Sequence, residues 1–451
     1  MAVPAGSAPA TLSRIADMSF TIAPRIYCIN PTLVSRQGWP ALLDHCANLG
    51  FDHVMLANTL NLGQHGAGED GLELEQLTAA CAERGLRLLL DIVLDRVTPE
   101  DPLIATCPHW FDSKSLSDDS LSADGLPLRM EDSAVQHGVS ALWRRRLQAL
   151  LDAGVAGFVC SVPAAVPAAL WQPLMAATRD YCGSVNFLAW TPGAATPQLD
   201  PLAGAGFDAV FCPGAWWDYQ ATRYVREQDN LSGVATIIAF PETPFGPRLA
   251  GQLSLTDIPS RRRASLRALR FAAASGNGIL VPMGFEFGLT VPLDTALTPV
   301  QYDSLCKEAE IDLCDEIQQA NRFIVDIGRY FLGAPVTLLH SPGGGLALLQ
   351  RSTRAGLGGP RDDSARLSLL IVVNQDLYQP WQGDVEDIFS HVDGYLGQAD
   401  LSDWNQGRPE AQALPQGPLL FEAAEIKLWL ARAVPSDAGN GNGNGDSRQA
   451  A

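Results

Sequence analysis

The chain of 451 residues carries 31 Lys plus Arg against 50 Asp plus Glu, which gives a formal net charge of −19. Hydrophobic residues make up 47% of the chain and charged residues 18%, so it can bury a large core and is neither disordered nor fibrous. The acidic balance argues against nucleic acid and against an anionic membrane surface as partners, because both need a basic patch.

Residues 1–19 are small and polar, which predicts a loose N-terminal arm. They lack the charged start and the apolar stretch that are typical of a secretory signal. The nine cysteines are widely spaced and contain no Cys-x-x-Cys pair, which favours reduced thiols over disulfides or zinc. We therefore expect a cytoplasmic protein. The uncharged residues 153–178 are long enough to span a bilayer, but Pro163, Pro167 and Pro173 interrupt them and predict buried core instead.

Short apolar runs alternate with helix-like segments along most of the chain. The runs are nearly continuous, which is typical of parallel strands buried on both faces. The predicted strands are residues 25–30, 53–58, 87–94, 157–162, 186–190, 209–213, 236–241 and 279–283. The predicted helices include residues 39–49, 73–84, 141–153, 168–180, 216–229, 261–274 and 304–332. This alternation predicts an α/β fold, a (β/α)8 barrel over residues 20–333.

Two regions depart from the alternation. Residues 95–138, after the third strand, are too long for a plain connection and predict an inserted loop region. Residues 334–432 contain short β-rich runs between Gly, Pro and Asp turns, which predicts an appended antiparallel β domain. Residues 433–451 form a Gly/Asn-rich stretch and predict a flexible tail.

Six local strings, in chain order, resemble motifs of the α-amylase superfamily, glycoside hydrolase family 13. They are DIVLDRVTPEDPLIATCPHWF, GFVCSVPAAVPAALW, FLAWTPG, WWDYQA, IAFPETPFGPRLA and VPMGFEFG. The resemblance covers about residues 20–430 and is closest to the maltosyltransferase-like branch, whose members act on α-1,4-glucans. It implies the same architecture: a barrel, an insertion after strand 3 and a C-terminal β domain.

Retaining members of this family need two carboxylates about 5–5.5 Å apart, one as nucleophile and one as acid. The resemblance places the nucleophile position at Ser161, the acid position at Trp190 and the third carboxylate position at Phe245. Residues 157–172 and 186–193 contain no Asp or Glu, so a small alignment error cannot restore the missing groups. We therefore expect no catalytic residues of the family's usual kind.

Some polar positions do match the family. Asp91, Glu242, Arg248 and Glu286 fit its motifs and look like supporting groups. If the chain is active, Asp95, Glu242 and Glu286 are the fallback catalytic candidates.

Other replacement chemistries have weaker sequence support. Asp95 and Arg96 are adjacent, so we expect their side chains to diverge; an ion pair of Arg96 on the rim and a relocated acid–base group both stay open. Ser161 and Cys160 lie in no G-x-S-x-G motif and have no nearby His, which favours packing over a nucleophilic role. The seven His form no H-x-x-x-H or H-E-x-x-H pattern, and no phosphate loop is present, so we predict no metal and no cofactor.

Binding residues are better preserved than reacting ones. Aromatic faces can stack on sugars, and carboxylates can accept hydrogen bonds from hydroxyls. The predicted substrate-binding residues are Trp110, Trp190, Trp216, Trp217, Asp218, Tyr219 and Arg248. The alternative is that these tryptophans fill the vacated active site, which the bulk of Trp190 favours for the central subsite.

Three hypotheses for function follow from these patterns. The first is a non-catalytic barrel protein, a pseudoenzyme, of α-glucan or trehalose metabolism. It would bind an α-glucan or maltooligosaccharide, or pair with an active homologue as a homo- or hetero-oligomer. The second is an active glycoside hydrolase or α-glucan glycosyltransferase with a displaced catalytic set. The third is a purely structural partner whose ligand site is filled.

Overall fold

The structure is a computed structural model, and most of the barrel and parts of the C-terminal region are described. The described residues are 23–57, 73–112, 125–219, 222–244, 246–255, 257–292, 297–326, 328–340, 345–352, 366–384, 388, 399–403, 410–412 and 417–433. The predicted N-terminal arm, the Gly/Asn-rich part of the tail and Phe245 lie outside them.

Eight parallel strands close into a barrel in which each strand pairs with its sequence neighbours and β1 pairs with β8. The strands are β1 Arg25–Ile29, β2 His53–Leu56, β3 Arg87–Ile92, β4 Gly157–Cys160, β5 Asn186–Ala189, β6 Ala209–Cys212, β7 Thr236–Ala239 and β8 Gly278–Pro282. The predicted (β/α)8 barrel is thereby confirmed. The uncharged residues 153–178 contribute β4 and part of a helix, and no described helix is long and apolar enough to cross a membrane.

Side chains alternate between the barrel interior and the layer beneath the helices, because successive strand residues point to opposite faces. The apolar side chains of the interior form one buried cluster. Its members are Ile26, Cys28, Met55, Ala57, Leu89, Val159, Leu188, Ala209, Phe211, Ile238, Phe240 and Leu280. The barrel is therefore a packed core rather than a channel.

Helices cover the outside of the barrel. Those of ten residues or more in the described ranges are α1 Trp39–Asn48, α2 Leu74–Glu83, α3 Ser133–Asp152, α4 Ala168–Tyr181, α5 Arg223–Ser232, α6 Ile258–Ser275, α7 Pro299–Glu308 and α8 Cys314–Asp326. Shorter helical turns occupy Pro31–Leu33, Leu103–Thr106, Pro108–Trp110, Pro163–Ala165, Thr196–Leu199, Asp200–Leu202, Gly214–Trp216, Leu249–Gln252 and Gly328–Phe331.

Three helix predictions were wrong in their extent. The predicted helix over 141–153 begins earlier, at Ser133, because the Asp132 side chain caps it there by accepting the Ala134 N–H. The predicted helix over 216–229 begins only at Arg223, because Trp217 is extended and Tyr219 has a φ of 62°. The predicted segment 304–332 is split, because Ala309 is extended and α8 begins anew at Cys314, whose N–H donates to the Asp312 carboxylate at 2.9 Å.

The region after β3 is tied to the barrel by packing on α3. It contains a two-stranded ribbon, Arg96–Val97 with Leu126–Pro127, and a helical turn that ends in the buried Trp110. A Cβ built on Gly138 of α3 would lie 2.3 Å from the Trp110 ring. Glycine is therefore required at 138 so that the indole can lie directly on the helix.

The C-terminal region is antiparallel, as predicted. Its strands are β9 Val336–His340, β10 Leu346–Ser352, β11 Arg366–Asn374, β12 Trp381–Asp384, β13 Ala399–Asp403, β14 Glu410–Gln412, β15 Pro418–Phe421 and β16 Ile426–Ala433. Six of them form a sheet in the order β9-β10-β11-β16-β13-β14, and β12 pairs with β15.

Hydrogen bonds from α6 join this sheet to the barrel. The Arg267 guanidinium donates to the carbonyl oxygens of Asn374 (2.8 Å) and Gln375 (3.0 Å). It also lies 4.7 Å from the centre of the Tyr219 ring, and the Gln375 amide donates to the Tyr219 carbonyl at 3.0 Å. The loop after β6 is thus fixed against the C-terminal sheet.

A polar network at the start of β1 and β2 is the basis of the first stability prediction. Arg25 donates to the Asp52 carboxylate through Nη2 (2.9 Å) and its backbone N–H (2.8 Å), and His53 Nδ1 lies 2.6 Å from Asp52. Burial alone would raise the pKa of Asp52, but the hydrogen bond and charge of His53 and the charge of Arg25 outweigh burial and lower it.

We expect Asp52→Asn to lower the free energy of unfolding at pH 7 by about 1.5–3 kcal/mol, as for hydrogen bonds to a charged group. Because the folded pKa is lowered, this contribution is complete above the ordinary value of 3.8 and is lost as the pH falls through the folded pKa. The difference between wild type and variant in urea unfolding should therefore stay constant above about pH 5 and shrink as the pH falls below 3.8. Asp44→Asn, which breaks the exposed pair with Arg84 (2.7 Å), is the control and should cost under about 1 kcal/mol. A pH-independent difference at Asp52 would contradict the assignment.

Candidate functional site

The carboxyl ends of β3 and β4 hold a serine where the family resemblance places the nucleophile. The Ser161 hydroxyl donates to a carboxylate oxygen of the buried Asp91. The neighbouring Cys160 is buried in the layer beneath the helices, and burial, followed by the charge of Asp91, raises the pKa of its thiol well above the ordinary value. The thiol is therefore uncharged near neutral pH, and a thiolate nucleophile has no support here.

Val162 follows Ser161 in a conformation that β-branched residues rarely adopt. Its φ and ψ are both 47°, in the left-handed region, and its side chain is 45% exposed. Such a residue costs about 1–3 kcal/mol and persists only where its surroundings fix it. The Trp171 indole N–H donates to the Pro163 carbonyl at 3.0 Å and holds the next turn in place.

Aromatic rings occupy the centre of the barrel mouth at the end of β5. Trp190, at the position of the family's acid, stacks on Phe240 with ring centroids 5.4 Å apart and an interplanar angle of 20°. It also contacts Phe211, at 5.0 Å. Both phenylalanines belong to the barrel interior, so Trp190 continues the apolar core out to the mouth.

Trp216 lies on the rim beside this stack. It ends the helical turn Gly214–Trp216 after β6, and its ring meets the Phe240 ring edge to face at 6.3 Å and 77°. The residue is 56% exposed, the most exposed of the predicted aromatic site residues. An exposed ring supported by a buried one is a suitable platform for an apolar sugar face.

The remaining predicted aromatic residues lie away from the mouth. Trp217 stacks on Tyr224 of α5 (4.5 Å, 20°) and contacts Phe271 of α6. Tyr219 packs on Phe271 and beneath Arg267, towards the C-terminal sheet. Both are buried, as is Trp110 on α3, while Asp218 between them is exposed. The aromatic members of the predicted binding set are therefore divided among three places.

Glu242 and Arg248 form a buried ion pair in the segment after β7. Arg248 Nη2 lies 2.7 Å from Glu242 Oε1, and Glu242 Oε2 accepts the Leu249 N–H at 2.8 Å. Burial raises the pKa of Glu242 although Arg248 and the backbone hydrogen bond oppose it. Glu242 is thus the counter-ion of a buried cation whose N–H groups make no hydrogen bond within the described residues. It also accepts the N–H of the first residue of the helical turn Leu249–Gln252.

Glu286 lies in the layer between β1 and α1. Its Oε1 accepts the Tyr27 hydroxyl at 2.5 Å and lies 3.4 Å from His45 Nε2. Tyr27 belongs to the outer core cluster, on the opposite side of the strand from the barrel interior. Burial and the charge of Glu286 raise the pKa of Tyr27, so the phenol stays a hydrogen-bond donor.

Asp95 and Arg96 form a local pair on the rim. The expectation that their side chains diverge was wrong, because Arg96 Nη2 and Nε donate to Asp95 Oδ2 at 2.8 and 3.2 Å. The backbone carbonyl of Asp95 also accepts the Leu128 N–H at 2.7 Å, which ties the inserted region to the rim. The three fallback carboxylates thus have three different internal partners. Within the described ranges, no group of three His, Cys, Asp or Glu is placed to hold a metal ion.

Comparison with known proteins identifies one curated relative and many similar structures. No family model matches the chain. It is 33% identical over 386 residues to an α-1,4-glucan:maltose-1-phosphate maltosyltransferase of Burkholderia pseudomallei (strain K96243). The alignment covers 80% of this chain and 34% of the relative, so the chain spans about a third of that protein's length.

The solved structures share the fold at low sequence identity. A trehalose-6-phosphate hydrolase of Bacillus licheniformis has a TM-score of 0.68 at 10% identity, covering 90% of this chain and 99% of that one. An isomaltulose synthase of Klebsiella sp. LX3 has a TM-score of 0.67 at 11% identity, with coverages of 91% and 99%. An α-amylase of Geobacillus thermoleovorans, complexed with acarbose, has a TM-score of 0.61 at 14% identity, with coverages of 91% and 98%.

Proposed function

Because the chain belongs to the α-amylase superfamily, we propose that it is a non-catalytic barrel protein of α-glucan metabolism that binds an α-glucan on its rim. The chemistry at the barrel mouth supports this choice. A cytoplasmic location, expected from the scattered cysteines, is part of the proposal.

The observation that carries the proposal is the stack of Trp190 on Phe240 where the family has its acid. An indole cannot transfer a proton to a glycosidic oxygen, and general acid–base catalysis contributes about 10²–10⁴-fold. At the nucleophile position, Ser161 donates its hydrogen bond to Asp91. Without a carboxylate at either position, the two-step path through a covalent glycosyl intermediate has no reacting groups.

The rim residue Trp216 is the proposed contact with glucan. Trp216→Ala should weaken binding of maltoheptaose, measured by titration calorimetry, about tenfold, since losing one stacked ring costs about 1.4 kcal/mol. Tyr378→Ala is the matched control: Tyr378 is similarly exposed (58% against 56%) but lies in the C-terminal region. Equal affinities of wild type and Trp216→Ala would place any glucan site elsewhere.

An active enzyme with a displaced catalytic set is the second candidate. The raised pKa of the buried Glu242 favours it, because perturbed carboxyl groups are common at catalytic sites. The pairing of Glu242 with Arg248 weighs against it. If maltooligosaccharide turnover is found, alanine variants of Asp95, Glu242 and Glu286 that fold and retain that turnover would exclude this set.

Pairing with an active homologue is the remaining form of the proposal. The exposed apolar side chains of Val162 (45%) and Trp216 (56%) lie at the ends of β4 and β6, where a partner would cover them. Light scattering of the protein alone, and mixed with an active α-glucan maltosyltransferase, tests this. A stable oligomer with no response of Tm to glucans would favour the purely structural role.

A further inference from the structure

We propose that a cleft at the end of the barrel opposite its mouth binds a small oxyanion that also carries a hydrogen-bond donor, of which monohydrogen phosphate is the simplest. The cleft lies between the start of β7 and the C-terminal sheet. Three features of its lining carry the inference: a buried cation, an unpartnered buried acceptor and a suitable volume.

The cleft has a volume of about 110 Å³. Gln228 of α5, Ser275 at the end of α6, Asn277 and Arg351 of β10 form its buried polar lining. Exposed residues at its edge, among them Gly333 and Pro335, leave it open to solvent. At about 30 Å³ for each water molecule, the space holds three or four waters or one tetrahedral oxyanion.

Arg351 is a buried cation whose contacts are all to neutral carbonyl groups. Its Nη1 donates to the carbonyls of Ala274 (2.9 Å) and Gly276 (2.8 Å), its Nη2 to Phe331 (2.9 Å) and its Nε to Ala334 (3.4 Å). These bonds use four of the roughly five N–H groups that a guanidinium has. No carboxylate pairs with Arg351 among the described residues.

The guanidinium is charged at neutral pH, although burial lowers the pKa of Arg351 to about 10. A buried charge without a counter-ion is unfavourable, whereas an anion in the adjoining cleft compensates it and accepts the remaining N–H. Arg351 therefore favours an anionic ligand over a neutral one.

Gln228 specifies the second property of the ligand. Its Nε2 donates to the Ser275 carbonyl at 2.8 Å, so the amide oxygen Oε1 remains as the acceptor. That oxygen is buried and has no hydrogen-bond partner within the described part of the chain. A buried acceptor needs a donor, and the P–OH of monohydrogen phosphate supplies one, while sulfate and chloride do not.

Inorganic phosphate, sulfate and chloride are the probes, each titrated into the full chain at constant ionic strength and pH 7.5. We expect phosphate to raise Tm saturably, by about 2 °C or more, and sulfate and chloride to raise it less at equal concentration. Equal effects of all three anions, or no effect of phosphate, would overturn the proposal. The wild-type comparison stands whether or not the variants below fold.

Gln228→Glu places a carboxylate in the cleft as an internal counter-ion, so phosphate binding by calorimetry should weaken at least tenfold. Gln252→Glu is the matched control, because Gln252 is exposed and its Nε2 likewise donates to a backbone carbonyl, that of Pro247 at 3.0 Å. Phosphate binding that survives in Gln228→Glu would place the anion elsewhere and contradict the site.

Discussion

Glu242→Ala is expected to lower the free energy of unfolding by about 3–5 kcal/mol, because it leaves the guanidinium of Arg248 buried without its counter-ion. Arg248 is almost fully buried, and the Glu242 carboxylate is its one ion-pair partner among the described residues. The same substitution removes the acceptor of the Leu249 N–H. Urea unfolding followed by circular dichroism measures the loss.

A double variant separates the buried charge from simple truncation. Glu242→Leu with Arg248→Met removes both charges, so it should be distinctly more stable than Glu242→Ala. If Glu242→Ala instead costs less than about 1 kcal/mol, the pair is solvated like an ordinary surface salt bridge, and the structural role given to Glu242 is wrong.

Phe240→Ala is expected to cost about 3–5 kcal/mol, the usual range for truncating a buried aromatic residue. Phe240 is buried in the barrel interior and supports the rings of both Trp190 and Trp216. Its removal leaves a cavity beneath the mouth, because the structure around a truncated core residue relaxes only partly. Denaturant unfolding measures the loss of stability, and a fall in tryptophan fluorescence anisotropy measures the lost support of the Trp190 and Trp216 rings.

Trp216→Ala is the stability control for Phe240→Ala. Its exposed indole contributes little buried area, so the cost should stay below about 1 kcal/mol. Similar costs of the two substitutions would mean that the mouth is not a continuation of the apolar core. In that case a cavity for the central sugar exists and the filled-mouth interpretation fails.

The fold could be predicted because its signal is spread over the whole chain. Each barrel strand is buried on both faces, so each appears as a short continuous apolar run, and the eight runs repeat between helical segments. Helix limits were less predictable. Periodicity across 216–229 conceals the extended Trp217 and the left-handed Tyr219, whose conformations depend on contacts with α6 and the C-terminal sheet.

The missing family carboxylates could be predicted from the sequence, but the arrangement of the remaining site residues could not. Residues missing from the sequence are missing wherever the chain folds, so the lack of Asp and Glu in residues 157–172 and 186–193 needs no structure. The direction of a present side chain does need one. Trp216 and Trp217 are adjacent, yet one is exposed on the rim and the other is buried against α5.

Long-range partners were the other unpredictable part. Glu286 is bonded to Tyr27, 259 residues away in sequence, and this bond places it beneath α1. The Asp95–Arg96 pair was missed although the two residues are adjacent in sequence. Adjacent side chains diverge in a regular strand, but these two meet on the irregular rim. Both contacts follow from tertiary geometry that motif spacing does not contain.

A calorimetric titration of maltoheptaose into the pure protein, with reducing ends assayed in the same sample, tests the central claim most directly. A non-catalytic glucan-binding barrel predicts a heat signal that saturates and then stops, with no increase in reducing ends. A heat signal that continues after saturation, accompanied by new reducing ends or longer glucans, would show turnover. That result would contradict the account built on Ser161, Trp190 and the filled mouth.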